Sequence, residues 1–198
     1  MEKIKLGISA CLLGEKIRYD GGHKLDLFLK DALGKYVKYI PVCPEVECGL
    51  GVPRKSMRLE GNPDSPRLII TETGQDVTNR MLNWAQKRVI QLEKEDICGF
   101  IFKRDSPSCG IEKVKIYNEK NMPFKAGVGI FARSFMEHFP SLTVQDEQSL
   151  HDSIMQEKFT GAKLRTEDDK FHLDRHLSAM LRLFKIERIN GKNVESYF

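Results

Sequence analysis

No apolar run in the 198-residue chain approaches the ~20 residues that a membrane-spanning helix requires, so a bitopic or polytopic membrane protein is excluded at this level. The N-terminus, Met1-Glu2-Lys3-Ile4-Lys5, lacks the apolar core and cleavage site of a secretory signal and runs straight into a strand-like pattern. The expected location is therefore the cytoplasm. There thiols stay reduced, so the five cysteines are not a disulfide framework but core residues, metal ligands or nucleophiles. No Cys-x-x-Cys pair is present, which removes the commonest signature of structural zinc. Phosphate-loop and dinucleotide fingerprints are missing as well, leaving ATP- and NAD-dependent reactions without support. Net charge is only +4, a bias that admits an anionic nucleotide or nucleic acid without pointing strongly to either. No internal repeat or low-complexity tract interrupts the chain.

What is present is an alternation of strand and helix patterns. Lys3 to Ser9 alternates polar and apolar residues, Tyr36 to Val42 is β-branched and aromatic, and Ile97 to Lys103 reads as a buried strand. Helical patterns are expected over Lys24 to Leu33, from Asp76 to about Glu93, over Ile130 to Phe139, and over about Asp146 to Leu164. Arg54 to Pro66 reads as loop, and Arg67 to Thr71 and Val114 to Tyr117 as short strands. The order predicts an α/β fold: a mostly parallel, Rossmann-like sheet flanked by helices. Residues 1–164 form the main domain in this reading, and 165–198 a short C-terminal helical extension.

The cysteines fall in a telling way on that frame. Cys11 lies two residues past the first strand, Cys43 one past the second, and Cys109 in the loop leaving the third. If the strands are parallel, the three thiols meet at the carboxyl edge of the sheet, where open α/β folds bind ligands. Cys98 starts its strand at the opposite edge and reads as a core residue. Thiolates select zinc, copper(I) or iron–sulfur clusters. Three ligands on separate loops suit a [4Fe–4S] cluster with one iron left open, a Lewis-acid site for a substrate atom. Cys48, five residues past Cys43, is either a fourth ligand that closes the site or a small apolar filler, and the filler is the preferred reading.

Glu45, two residues past Cys43, is the candidate general acid/base. Ser106 and Ser108 flank Pro107 just before Cys109 and are candidates to bond a sulfide or a substrate, although turn-backbone roles are commoner for serines so placed. Tyr19, Asp20 and His23 occupy the first long loop, where an aromatic ring can stack on a base. Arg54 and Arg58 are candidates for an anionic group. His172 and His176 stand one helical turn apart without the glutamate of a zinc-protease motif, and read as structural.

The runs Ser9-Ala10-Cys11-Leu12-Leu13-Gly14, Arg18-Tyr19-Asp20-Gly21-Gly22, Pro41-Val42-Cys43-Pro44-Glu45-Val46 and Ser106-Pro107-Ser108-Cys109-Gly110 resemble the thiouracil desulfidase family. Pro53-Arg54, Gly74-Gln75-Asp76-Val77-Thr78 and Gly129-Ile130-Phe131-Ala132 extend the resemblance over roughly Lys3 to Leu164, in order. It implies a [4Fe–4S] cluster on Cys11, Cys43 and Cys109, with Glu45 as proton-transfer residue, assisted by Ser106 or Ser108. The implied reaction replaces the sulfur of a thiolated pyrimidine by oxygen, without net redox change, and releases sulfide. Some relatives carry a large C-terminal domain that serves tRNA substrates. The segment 165–198 is too short for one, which favours a free base or nucleotide over tRNA.

Overall fold

The computed structural model describes residues 3–151, together with 188–189 and 192–193. Strand β1 (Ile4–Ser9) buries Ile4, Leu6 and Ile8 on one face of the sheet. It lies between β2 (Val37–Val42) and β5 (Gly99–Phe102), and β8 (Thr143–Asp146) extends the sheet beyond β5. All three pairings are parallel, giving the order β2-β1-β5-β8. The chain moves from β1 to one neighbour and then crosses to the other. The connections leaving β1 and β5 therefore diverge and open a crevice at the carboxyl edge.

Both faces of this sheet are covered. On one, Leu6, Ile8 and Ile101 pack with Leu29, Leu33 and Leu150. On the other, Phe100 and Phe102 pack against α2 (Thr78–Lys94) and α3 (Ile130–His138) through Ala85, Val89, Phe131 and Phe135. Gly7 makes room for this second face, since a Cβ there would stand 2.1 Å from the Phe100 ring.

A second sheet of four strands is mixed rather than parallel. Here β3 (Met57–Glu60) pairs antiparallel with β4 (Arg67–Ile70) and parallel with β6 (Val114–Tyr117), which pairs antiparallel with β7 (Pro123–Gly127). Leu59, Leu68, Val114 and Ile116 meet Val77, Met81 and Ile130 in its core.

Three local expectations are corrected. Met57–Glu60 is strand where loop was expected, because pairing on both sides outweighs its Gly- and Pro-rich surroundings. Thr143–Asp146 is a strand that precedes the helix beginning at 147, because β5 offers it a free edge. Lys24 to Leu33 is not a regular helix but a π-helical turn, Phe28–Ala32, running into a 3₁₀ turn, Leu33–Lys35. The expected helix end at Leu164, the extension 165–198 and the pair His172 and His176 lie outside the described residues. Within that stretch only the antiparallel pairing of Arg188–Ile189 with Lys192–Asn193 is described. No helix among the described residues is long and apolar enough to cross a membrane.

Candidate metal centre

Each of the three carboxyl-edge cysteines is fixed by a different local device. Cys11 sits in the 3₁₀ turn Ala10–Leu13 that directly follows β1, ended by Gly14 at φ 93°. Cys43 is the last extended residue before the short helix α1 (Pro44–Glu47), whose entry is set by Pro44 at its first turn. Its N–H donates to Glu47 Oε1 at 2.9 Å. Cys109 lies in the loop leaving β5, where Ser106 Oγ accepts the N–H groups of Ser108 (3.2 Å) and Cys109 (3.1 Å). The first turn of α3 clamps that loop: Ile130 N–H donates to Pro107 O, and the N–H groups of Phe131 and Ala132 donate to Ser108 O. Gly129 makes the clamp feasible, because a Cβ there would approach Ser108 C to 2.5 Å and Cys109 N to 2.7 Å.

The three thiols line one cavity of about 480 Å³ at the carboxyl edge. Cys109 is 4% exposed, and Cys11 and Cys43 are half-buried. Burial, reinforced by the Glu45 carboxylate, pushes Cys11 up to about 11 and Cys43 up to about 12. The same two causes raise Cys109, with further contributions from Cys11 and Cys43 themselves. Among the described residues no three His, Cys, Asp or Glu side chains converge tightly enough for a single metal ion. Three thiols carried on separate loops around one cavity have the chemistry of an iron–sulfur ligand set.

Arg18, Lys24, Arg54, Lys103 and Arg104 also line the cavity, against the carboxylates of Glu45 and Asp105. Four of these cations also face carboxylates (Arg18 with Asp20, Arg54 with Glu45, Lys103 with Glu147 and Arg104 with Asp146), so the lining is mixed in charge. Glu45 is buried, with Oε2 3.5 Å from Cys43 Sγ and 3.8 Å from Arg54 Nη2. Arg54 donates through Nη1 to Ile17 O (2.9 Å) and Gly51 O (3.0 Å), while its Nε is buried with no partner. The expected anion-binding arginine is thus first a tether between two loops and Glu45.

The other candidates separate. Tyr19, 45% exposed, is at the cavity with the Arg18 guanidinium 5.5 Å from its ring centre. Ser106 lines the cavity, whereas Ser108 is fully buried outside its lining, with an unpartnered hydroxyl. Asp20 and His23 are not in the lining either: Asp20 accepts Gly22 N–H and faces Arg18 Nε at 3.6 Å, and His23 Nδ1 accepts Leu25 N–H. Arg58 is committed to Glu60 at 2.7 Å and to the Tyr117 ring. Cys48 turns away from the cavity, its Sγ 3.4 Å from Glu45 O and its side chain against the core of the second sheet. Cys98 packs on the first core, as expected. Sequence reasoning missed Ser9, Lys103 and Arg104. All three adjoin strand ends at the carboxyl edge, the signal by which they were findable.

A family model described as 2-thiouracil desulfurase matches residues 6–147, a span that holds all three cavity thiols. The chain belongs to the 2-thiouracil desulfurase family. Among solved structures, a [4Fe-4S]-dependent thiouracil desulfidase, TudS, is 31% identical with a TM-score of 0.59, over 80% of this chain and 99% of that one. The uncharacterized protein YbbK of Bacillus subtilis (strain 168) is 30% identical over 108 residues, 52% of this chain and 71% of its own length. For a desulfurase of this family, the cavity described above is the place where its three loop thiols, its buried carboxylate and its exposed tyrosine come together.

Proposed function

We propose that this chain is a [4Fe–4S]-dependent desulfidase that converts a thiolated pyrimidine, as base or nucleotide, to its oxo form. The observation that carries the reading is the meeting of Cys11, Cys43 and Cys109 in one cavity beside the buried Glu45 carboxylate. TudS, at 31% identity, supports the cofactor and the reaction class. Cys11, Cys43 and Cys109 would hold the cluster, which would supply Lewis acidity toward a thiocarbonyl sulfur and so improve sulfur as a leaving group.

The protein's own residues do the rest. Tyr19 offers a ring face to the pyrimidine, and Arg18 behind it adds positive charge for an anionic substituent. Glu45, tethered by Arg54, takes a proton from the attacking water and returns it to the product side. The balance is one thiocarbonyl and one water giving one carbonyl and hydrogen sulfide, so no external electron donor enters. Ser106 holds the Cys109 loop in register through two N–H groups. Five unbridged cysteines suit the reducing cytoplasm.

The test is anaerobic reconstitution with iron and sulfide, then sulfide release from 2- and 4-thiouracil and their nucleotides. Cys109→Ala is expected to abolish both cluster and release, and Cys48→Ala to retain both. A stable cluster that is lost in Cys48→Ala and releases no sulfide from any substrate would refute the proposal and indicate a closed four-thiolate site.

A further inference from the structure

Ser9 ends β1 two residues before Cys11, is 2% exposed, and has no part in the chemistry above. It lines the cavity with the three thiols. Its Oγ accepts the N–H of Lys103, the residue leaving β5, at 2.9 Å. The sheet enforces this contact, because Ile8 stands opposite Ile101 in the β1–β5 register. A hydroxyl that accepts from a rigid backbone N–H is fixed in position and still has its own hydrogen to give. Ser9 and Cys109 line the same cavity, and while burial raises the Cys109 thiol, a hydrogen bond with the Ser9 side chain acts the other way, toward the thiolate. Cys109 is the most deeply buried of the three thiols, so a thiolate there is the one most in need of a protein donor in place of water.

Resting on the cluster reading above, we propose that Ser9 is a positioning residue: a backbone-anchored hydroxyl that donates to Cys109 Sγ and draws charge from that one ligand of the three. The consequence is an asymmetric ligand set, with the Cys109 thiolate the least electron-releasing. Hydrogen bonds to ligand sulfurs help set the potential of an iron–sulfur cluster. The reduced cluster carries the greater negative charge, so a donor stabilises it more than the oxidised one. Removing the donor must move the potential in the negative direction.

The experiment compares anaerobically reconstituted wild type, Ser9→Ala and Ser9→Thr by redox titration followed in the electron paramagnetic resonance spectrum. Ser9→Ala is expected to take up the same iron and sulfide and to titrate at a more negative potential, with Ser9→Thr returning toward wild type. A role confined to folding would change yield and leave the potential where it was. A second readout needs no variant to fold: the reduced wild-type cluster, exchanged into D2O, is expected to show an exchangeable deuteron coupled to the cluster by electron–nuclear double resonance. Equal potentials in wild type and Ser9→Ala, or no such deuteron, overturn the proposal while leaving the desulfidase reading intact. A wild type that takes up no cluster overturns both, and is recognised before any variant is compared.

Discussion

Ser106 and Ser108 flank the same proline and have opposite energetics. Ser106 Oγ accepts two N–H groups of the Cys109 loop, whereas Ser108 Oγ is buried with no partner. An orphaned hydroxyl costs its desolvation and returns nothing. Ser108→Ala is therefore expected to be neutral or to stabilise the cluster-free protein by up to about 1 kcal/mol, and Ser106→Ala to cost about 1–2 kcal/mol, both read from urea midpoints. The thiols give a second expectation. In the folded protein Cys11 and Cys43 are raised from 9.0 to about 11 and about 12, so the native state keeps protons that the unfolded chain releases. Their contribution to stability is fully present below about pH 9 and is lost as the pH rises through 11 and 12. Stability of the cluster-free protein in urea should fall by roughly 1 kcal/mol per thiol per pH unit from about pH 9 until each thiol ionises in the folded state, near 11 for Cys11 and 12 for Cys43, and Cys11→Ala/Cys43→Ala should flatten the slope. The meeting of Cys11, Cys43 and Cys109 at one cavity was legible in the sequence because a cysteine just past a parallel strand has one place to go. Asp20 and His23 were not separable from Tyr19 by sequence, since the turn that closes Arg18 on Gly22 spends the Asp20 carboxylate on backbone.

At the level of elements, the Cys109 loop and α3 form a single unit joined at Gly129. A methyl group there meets backbone, which cannot swing aside as the end of a flexible side chain can. Gly129→Ala is expected to cost about 1–3 kcal/mol and to reduce cluster uptake, measured by thermal melting and iron content, although residue 129 is no ligand. The parallel sheet was readable from the alternation of strand and helix patterns, whereas its order and its edge strand β8 were not. The second sheet was not: β3 is four residues long amid turn-forming neighbours, and only its partners β4 and β6 define it. That omission bears on the site. Cys48 looked ambiguous because the core it fills belongs to the missed sheet.

Over the whole molecule, the net charge of +4 is not concentrated at the cavity: of its five cations, Arg18 faces Asp20, Arg54 faces Glu45, Lys103 faces Glu147 and Arg104 faces Asp146, which leaves a mixed and largely compensated field. A charged substrate should feel that field and a neutral one should not. Raising the salt from about 0.02 M to about 0.5 M is expected to increase KM only modestly, by about twofold, for a thiolated nucleotide and to leave KM for the free thiobase nearly unchanged, measured by initial rates of sulfide release.

The origin of the three thiols, on the connections leaving β1, β2 and β5, has a consequence for how the protein matures. A group bonded to all three would rivet the ends of three adjacent strands, much as a disulfide pins two distant points of a chain. The rivet cannot choose its holes: in an unfolded chain the thiols are scattered, and only the completed sheet aligns them. Assembly must then run in one direction, with the polypeptide folding first and waiting as an empty receptacle for iron and sulfide. Stripping the metal would return it to that waiting form and not to a random coil.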